Sequence, residues 1–596
     1  MCGIAGIIHS TPNKYNFLMK KIVSSLSHRG PDSEGIEVCD GAIFGHSRLS
    51  IIDVENGYQP MFTRDKKTMI AFNGEIYGYK DIRSKLSHEF STQSDTEVIL
   101  AMYEKYGDSI FSKLPGMFSI ALWDSKKKTL LLGRDRFGEK PLFYAIAKTG
   151  EIIFASELKA ILTSKLLIPK LSRFAVASYL KNLYIPPDIT IFENIHVVRP
   201  GHYVAFKNQK VQIEKYYHFP PMVEIDPDHA VDIFRERLRS SIEKQLISDV
   251  PVGAFLSGGI DSSTIVAVAS KYTKNLKTFS FGYKGNKNEL SYASEVAKMY
   301  KTDHYELRSD NINIADMLYR MNNIFDEPFA DSSNIATFLL SEFASKHVKV
   351  ALSGDGADEL LGGYSWWYSQ LLDIGNTGSL MQYFLFRAFG YIFDERNFKN
   401  KANRIKFSRK YSSYMEAHKK NNQFFSDIEI SEILDGVDLS LTENQIHYEN
   451  NISGVLKSDL LSYLPGDILV KTDRASMSNS LEIRSPFLDK DFANFCISLP
   501  ANFKIDSYQT KKILRLAFEN MLPRSILKRD KQGFGAPVNE WFLQNNLLDL
   551  KNEILRRDHK MFSYLSYDGI TKFKGKNNYQ TWALIILGIW FEKWQT

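Results

Sequence analysis

The stretch VGAFLSGGIDSSTIV, residues 252–266, limits the fold more than any other part of the chain. A short apolar run ends at Leu256, two glycines follow, and helical spacing begins at Asp261–Ser263. With the apolar run LKTFSFGY behind it, this order predicts strand, turn, helix and strand, hence a parallel sheet flanked by helices. Gly258 and Gly259 would let backbone N–H groups approach a phosphate closely, and the helix N-terminus adds partial positive charge there. Ser257, Ser262 and Ser263 could donate further hydrogen bonds. The turn is not a Walker A loop, because no Gly-Lys-Ser/Thr is present. A second strand runs into glycines and acids in VKVALSGDGADELLGGY, residues 348–364.

The first third has a different texture. Short alternating apolar runs bounded by glycine, among them KTMIAFNGEIYG and GMFSIALWD, read as strands. Between them, NKYNFLMKKIVSSLSH and SDTEVILAMYEKYG carry helical spacing, the latter opening on a Ser/Asp cap. This divides the 596 residues into a unit at 1–205, a linker at 206–229 containing FPPMVEIDPDH, and a unit at 230–596 whose part beyond about 365 is mostly helical.

Composition excludes several classes. Three cysteines, Cys2, Cys39 and Cys496, give neither a disulfide framework nor metal spacing, which favours a reducing compartment. No basic-then-apolar leader is present, so a cytoplasmic location is expected. WALIILGIWF at 582–591 spans about half a bilayer and reads as a buried helix, Cys39 and Cys496 as core. The net charge of +6 is concentrated at 381–420, where ten Lys or Arg face three acids. No nucleic-acid-binding motif accompanies the patch. It reads as a solvated, partly helical insertion, with an anionic partner or polyanionic substrate as the alternative.

Cys2 stands where removal of Met1 makes it the first residue. A thiol is a good nucleophile only as thiolate, and at a pKa of about 8.5 little is ionised at neutrality. A free α-amine, with a pKa of about 7.7–8.0, could serve as its general base, placing nucleophile and base in one residue. MCGIAG, HRGPD, HSRLSIID, FNGEIYG and SDTEVI closely resemble the class II glutamine amidotransferase domain, an N-terminal-nucleophile αββα sandwich. The resemblance implies an oxyanion hole from Asn73 and the Gly74 backbone. It also implies a bidentate grip by Arg48 on the glutamine α-carboxylate, with Glu75 and Asp95 meeting the α-ammonium.

The SGGIDS turn in turn resembles the pyrophosphate loop of the N-type ATP pyrophosphatases. That resemblance implies ATP as co-substrate, Leu256 and Phe281 beside the adenine, and Ser353 with Gly354 on the nucleotide. It also implies Mg²⁺ held by Asp261 and Asp358, a hard oxygen donor pair suited to that ion. Nearly the whole chain resembles the glutamine-hydrolysing asparagine synthetases, through DEPFADSSNIATFLLS, KTDRASMSNSLEIRSPFLD and TKKILRLAFENMLP. The last motif makes Lys511 the group that neutralises charge on the α-phosphate and pyrophosphate. Asp355 sits where members carry an acid linked to forming the aspartyl-adenylate, often glutamate.

The 471–489 string reads as a helix and turn, in which Asp473, Arg474, Glu482 and Arg484 equally suit packing and salt bridges. The reaction implied converts aspartate, ATP and glutamine to asparagine, AMP, diphosphate and glutamate through channelled ammonia. The alternative keeps both sites but amidates another carboxylate, such as a sugar acid. A non-catalytic binding module would require damaged motifs, and none is damaged. The expected partners are these small molecules, without membrane or nucleic acid, and a homodimer is left open.

Overall fold

The computed structural model describes residues 1–594 other than 208–209, 284–288, 310–311, 373, 375–384, 386–409, 438–448, 507, 530–532 and 534. Twelve strands come first: β1 (Gly3–Ile8), β2 (Ser33–Cys39), β3 (Ala42–Arg48), β4 (Met61–Phe62), β5 (Thr68–Glu75), β6 (Met117–Asp124), β7 (Thr129–Arg134), β8 (Phe143–Ile146), β9 (Ile152–Ala155), β10 (His196–Val197), β11 (His202–Lys207) and β12 (Lys210–Lys215). They form two antiparallel sheets, ordered β10-β8-β9-β1-β3-β2 and β12-β11-β7-β6-β5-β4.

Side-chain alternation builds the layers. On β1, Ile4 faces the second sheet, while Ala5 and Ile7 meet Met19, Ile22 and Val23 of the helix Asn16–Ser24. On β5, Met69 and Ala71 fill the space between the sheets, whereas Ile70 and Phe72 pack on Val98, Ile99 and Met102 of the helix Asp95–Tyr106. The result is the expected αββα sandwich. Gly6 leaves room for its neighbours in the same sheet: a Cβ there would lie 2.3 Å from the Phe154 ring of β9. Ser94 caps the second helix as its sequence suggests, accepting the Thr96 N–H at 3.2 Å. β11 runs through residue 205 and β12 pairs with it, so this sheet extends to Lys215.

After the helix Pro227–Gln245 come β13 (Val252–Phe255), β14 (Lys277–Tyr283), β15 (Asp303–Ser309), β16 (Val350–Leu352) and β17 (Glu482–Arg484). They form one parallel sheet ordered β15-β14-β13-β16-β17. The chain leaves the β13 position in opposite directions, towards β14 on one side and β16 on the other, which makes this the topological switch point.

β17 corrects the expectation of a helix and turn over 471–489: the helix is Leu469–Met477, and a strand follows it. Three residues are too few to show alternation, and their partner, β16, lies far back in the sequence. Cys39 also differs from expectation. It is half-buried at the end of β2, whereas Cys496 lies in the core.

The helix Tyr579–Trp594 is buried by tertiary contacts: the Trp582 and Trp590 indoles donate to the Ala330 and Asp326 carbonyls at 3.0 and 2.9 Å. Among the described residues no helix is long and apolar enough to cross a membrane. Most of the basic segment 381–420 lies outside the described residues; its end forms the helix Tyr414–Asn421.

Candidate active sites

Cys2 is buried at the start of β1, and its backbone N–H donates to Asn73 Oδ1 at 2.9 Å. Asn73 Nδ2 in turn faces Ser119 Oγ at 3.4 Å. A cavity of about 30 Å³ opens beside the cysteine, lined by Cys2, Arg48, Gly74, Glu75 and Asp95 among others. Asn73 is not on its wall, because the carboxamide is held between Cys2 and Ser119. Gly74 tolerates no side chain: a Cβ would stand 2.1 Å from the Met117 carbonyl. Burial alone would push the Cys2 thiol up, but neighbouring His46, the chain-terminal ammonium and the Leu49 amide outweigh it, and the pKa falls to about 7. His46 stands opposite Ile4 in the β1–β3 register. In HSRLSIID nothing but the fold marks this histidine, since its partner Cys2 lies far back in the sequence.

Arg48 is anchored by the loop that follows it. Its guanidinium donates to the carbonyls of Val54, Ile52 and Asp53 at 3.0, 3.2 and 2.7 Å, which leaves two of five N–H donors for a ligand. Asp95 accepts the Ile76 N–H at 3.0 Å, and burial raises its pKa to about 6. Burial raises Glu75 well above the carboxylate range, against the pull of Arg484.

Arg484 belongs to the other sheet. It donates to Glu482 at 2.6 Å and to Glu75 at 3.1 Å, so β17 reaches the wall of the Cys2 cavity. The Met1 ammonium lies 3.0 Å from the second oxygen of Glu482. Nearby, Arg29 bridges Glu157 at 2.8 Å and Asp473 at 2.9 Å, and Arg474 joins Glu157 at 2.8 Å. These charges are enclosed and must be paired, and Arg29–Asp473, Arg474–Glu157 and Arg484–Glu75 make their pairs across the domain boundary. Asp473, Arg474, Glu482 and Arg484 thus have the salt-bridge role that their sequence allowed.

A second cavity, of about 320 Å³, opens at the carboxyl ends of β13, β14 and β16, the place where open α/β sheets bind ligands. Leu256, Ser257, Asp261, Ser262, Phe281, Ser353, Gly354, Asp355 and Asp358 all line it. Gly258 and Gly259 shape the turn without lining the cavity. Gly258 has φ +69°, and a Cβ there would meet the Ala293 nitrogen at 2.7 Å. Ser257 Oγ accepts the Gly259 N–H at 3.3 Å and pairs with Ser262 Oγ at 3.1 Å, fixing the turn just before the helix Ile260–Ala269. Ser263 is buried in that helix, off the wall.

Lys511 is buried, with Nζ 2.6 Å from both Asp261 and Asp358. The two carboxylates therefore converge on one point, from two loops far apart in sequence. Asp261 Oδ1 is buried without a hydrogen-bond partner, so the pair offers oxygens of the kind a hard divalent cation takes. Asp355 accepts from the Ser353 and Thr472 hydroxyls at 2.8 and 2.9 Å, which fixes its carboxylate on the wall. Beside it Glu359 is pushed up to about 8 by burial, with Asp358 adding to the rise. Nothing in the sequence marks Thr472.

A further cavity of about 380 Å³ shares Asp331 and Tyr463 with the one at the carboxyl ends of β13, β14 and β16, and is walled by Tyr184, Trp367, His418 and Lys419. It has no sequence signature, since its walls come from several separate segments.

The chain matches two family models. A glutamine amidotransferase domain covers residues 1–217, and asparagine synthase covers residues 233–596. It is 32% identical to asparagine synthetase [glutamine-hydrolyzing] 1 of Bacillus subtilis, over 99% of this chain and 96% of that one. Asparagine synthetase [glutamine-hydrolyzing] 3 of the same organism is 28% identical, over 98% and 95% of the two chains. Asparagine synthetase B of Escherichia coli is 32% identical over 62% of this chain and 65% of its own. With both cavities in place and these matches running the length of the sequence, the chain belongs to the asparagine synthase family and carries a glutamine amidotransferase domain at its N-terminal end.

Proposed function

We propose that the protein hydrolyses glutamine at Cys2 and uses the ammonia to amidate an ATP-activated carboxylate, with aspartate as the acceptor. The observation that carries this reading is a pair of separate cavities, each lined by carboxylates, joined by a closed, ion-paired interface. Removal of Met1 turns the Cys2 nitrogen from an amide into an amine beside Asn73, free to take the thiol proton. The sulfur attacks the side-chain amide of glutamine, and the Gly74 N–H faces the developing oxyanion. Ammonia leaves, and water releases glutamate from the thioester.

In the second cavity an acceptor carboxylate oxygen attacks the α-phosphorus of ATP and pyrophosphate departs. Ammonia then attacks the acyl carbon, AMP leaves, and the excess proton passes to a neighbouring base. Asp261 and Asp358 would hold Mg²⁺, which draws charge from the pyrophosphate oxygens. Lys511 stands against the same two carboxylates and adds positive charge behind the leaving group. An enclosed passage between the sites would cross the buried boundary where Arg484 meets Glu75 and Arg29 meets Asp473. Bulk water along that passage would protonate the ammonia and hydrolyse the adenylate.

The cavity of about 380 Å³ favours a second reading, because it offers more room than aspartate fills. There the same chemistry would act on a longer carboxylate, such as a sugar acid. AMP and pyrophosphate release, measured with aspartate and with a panel of acids, decides between them. Turnover with aspartate supports the first reading; turnover only with a larger acid replaces it by the second. ADP plus orthophosphate would overturn both.

A further inference from the structure

Three carboxylates line the small cavity beside Cys2: Glu75, Asp95 and Glu482. The first two belong to the N-terminal sandwich, while Glu482 is carried in by β17 of the parallel sheet. They are not equivalent. Asp95 is tied to the Ile76 N–H and Glu75 to Arg484. Glu482 gives one oxygen to Arg484 at 2.6 Å and the other to the Met1 ammonium at 3.0 Å. Burial holds Glu75 and Asp95 towards their neutral forms, but the two cations keep Glu482 ionised, at about 2. Loss of Met1 would strip this carboxylate of one cation inside an enclosed pocket, where an unpaired charge is costly. A primary ammonium entering with the substrate restores the pairing.

We propose that Glu482 binds the α-ammonium of glutamine, so that the glutamine pocket is completed across the domain boundary by the ATP-binding half. This rests on the reading that the Cys2 cavity hydrolyses glutamine. The strand that carries Glu482 also pairs with β16, and the Arg484 carbonyl accepts the Ser353 N–H at 2.9 Å. Seating glutamine therefore presses on the same backbone that forms the nucleotide loop.

The test uses the full-length protein, with glutamine and with glutaramate, which lacks the α-amino group. Wild type should prefer glutamine strongly. In Glu482→Gln the KM for glutamine should rise about tenfold or more, as expected for a lost charged hydrogen bond, with kcat changed far less. The preference over glutaramate should shrink by a similar factor, and Glu482→Asp should recover part of it. AMP formation supplied with free ammonia should fall far less than the glutamine-driven rate. An unchanged preference overturns the proposal. A parallel fall in the glutamine- and ammonia-driven rates also overturns it, because Glu482 would then be structural. Wild type without glutamine hydrolysis would instead sink the underlying reading of the Cys2 cavity.

Discussion

Around Cys2 the polar groups are locked to one another, with Asn73, Ser119, Arg48 and Asp95 each committed to a protein partner across a cavity of about 30 Å³. Around Asp261 the enclosed volume is about ten times larger, and the loops meet chiefly through one buried lysine. The first site suits a small, invariant donor that must be oriented rather than surrounded. On the proposed reading the second admits a nucleotide and an acceptor together, and its walls come from the ends of several strands. Both solve the same electrostatic problem, clustered carboxylates, with a cation from a distant part of the chain: Arg484 in one and Lys511 in the other.

The largest effect should come from separating the two sites. Cys2→Ala should abolish glutamine-driven amide formation while leaving ammonia-driven AMP release largely intact; loss of both in a coupled assay would break the division. The mirror variant, Asp261→Asn, should spare glutaminase activity and lower AMP formation about 10²–10³-fold, a loss typical of removing preorganised charge from a reacting phosphate. Arg29→Ala attacks the boundary itself. It leaves Glu157 and Asp473 buried without their shared partner and should cost about 3–5 kcal/mol in denaturant unfolding, with both activities falling together.

The smallest effect concerns ionisation. Because the Cys2 thiol titrates at about 7, its alkylation by iodoacetamide should reach half its maximal rate near that pH and decline as protons return. Cys496, raised to about 12 by burial, should stay unreactive throughout. A Cys2 profile centred well above pH 8 would mean that His46 and the terminal ammonium do not act on it.

Sequence carried the local parts of this picture well. The glycine turn after β13, the Ser94 cap and the αββα layering each depend on residues a few positions apart, and each stands where its string suggested. What it could not carry is contact between distant segments. β17 is too short to display a period, yet it brings Glu482 and Arg484 to the Cys2 cavity. Thr472 reads as an ordinary helix residue until the fold sets it against Asp355. Arg48 lines the Cys2 cavity, but its hydrogen bonds to the 52–54 carbonyls depend on a loop conformation that no periodicity encodes.

Lys511 adopts a left-handed backbone, with φ +54°, a region that side chains bearing a Cβ enter at a cost of about 1 kcal/mol or more. Glycine would suit that turn better. A family member with glycine there would hold its shape more firmly while losing the ammonium that faces Asp261 and Asp358. Selection for robustness and selection for chemistry therefore pull in opposite directions at this one position, and a search for heat-tolerant variants should meet that conflict here.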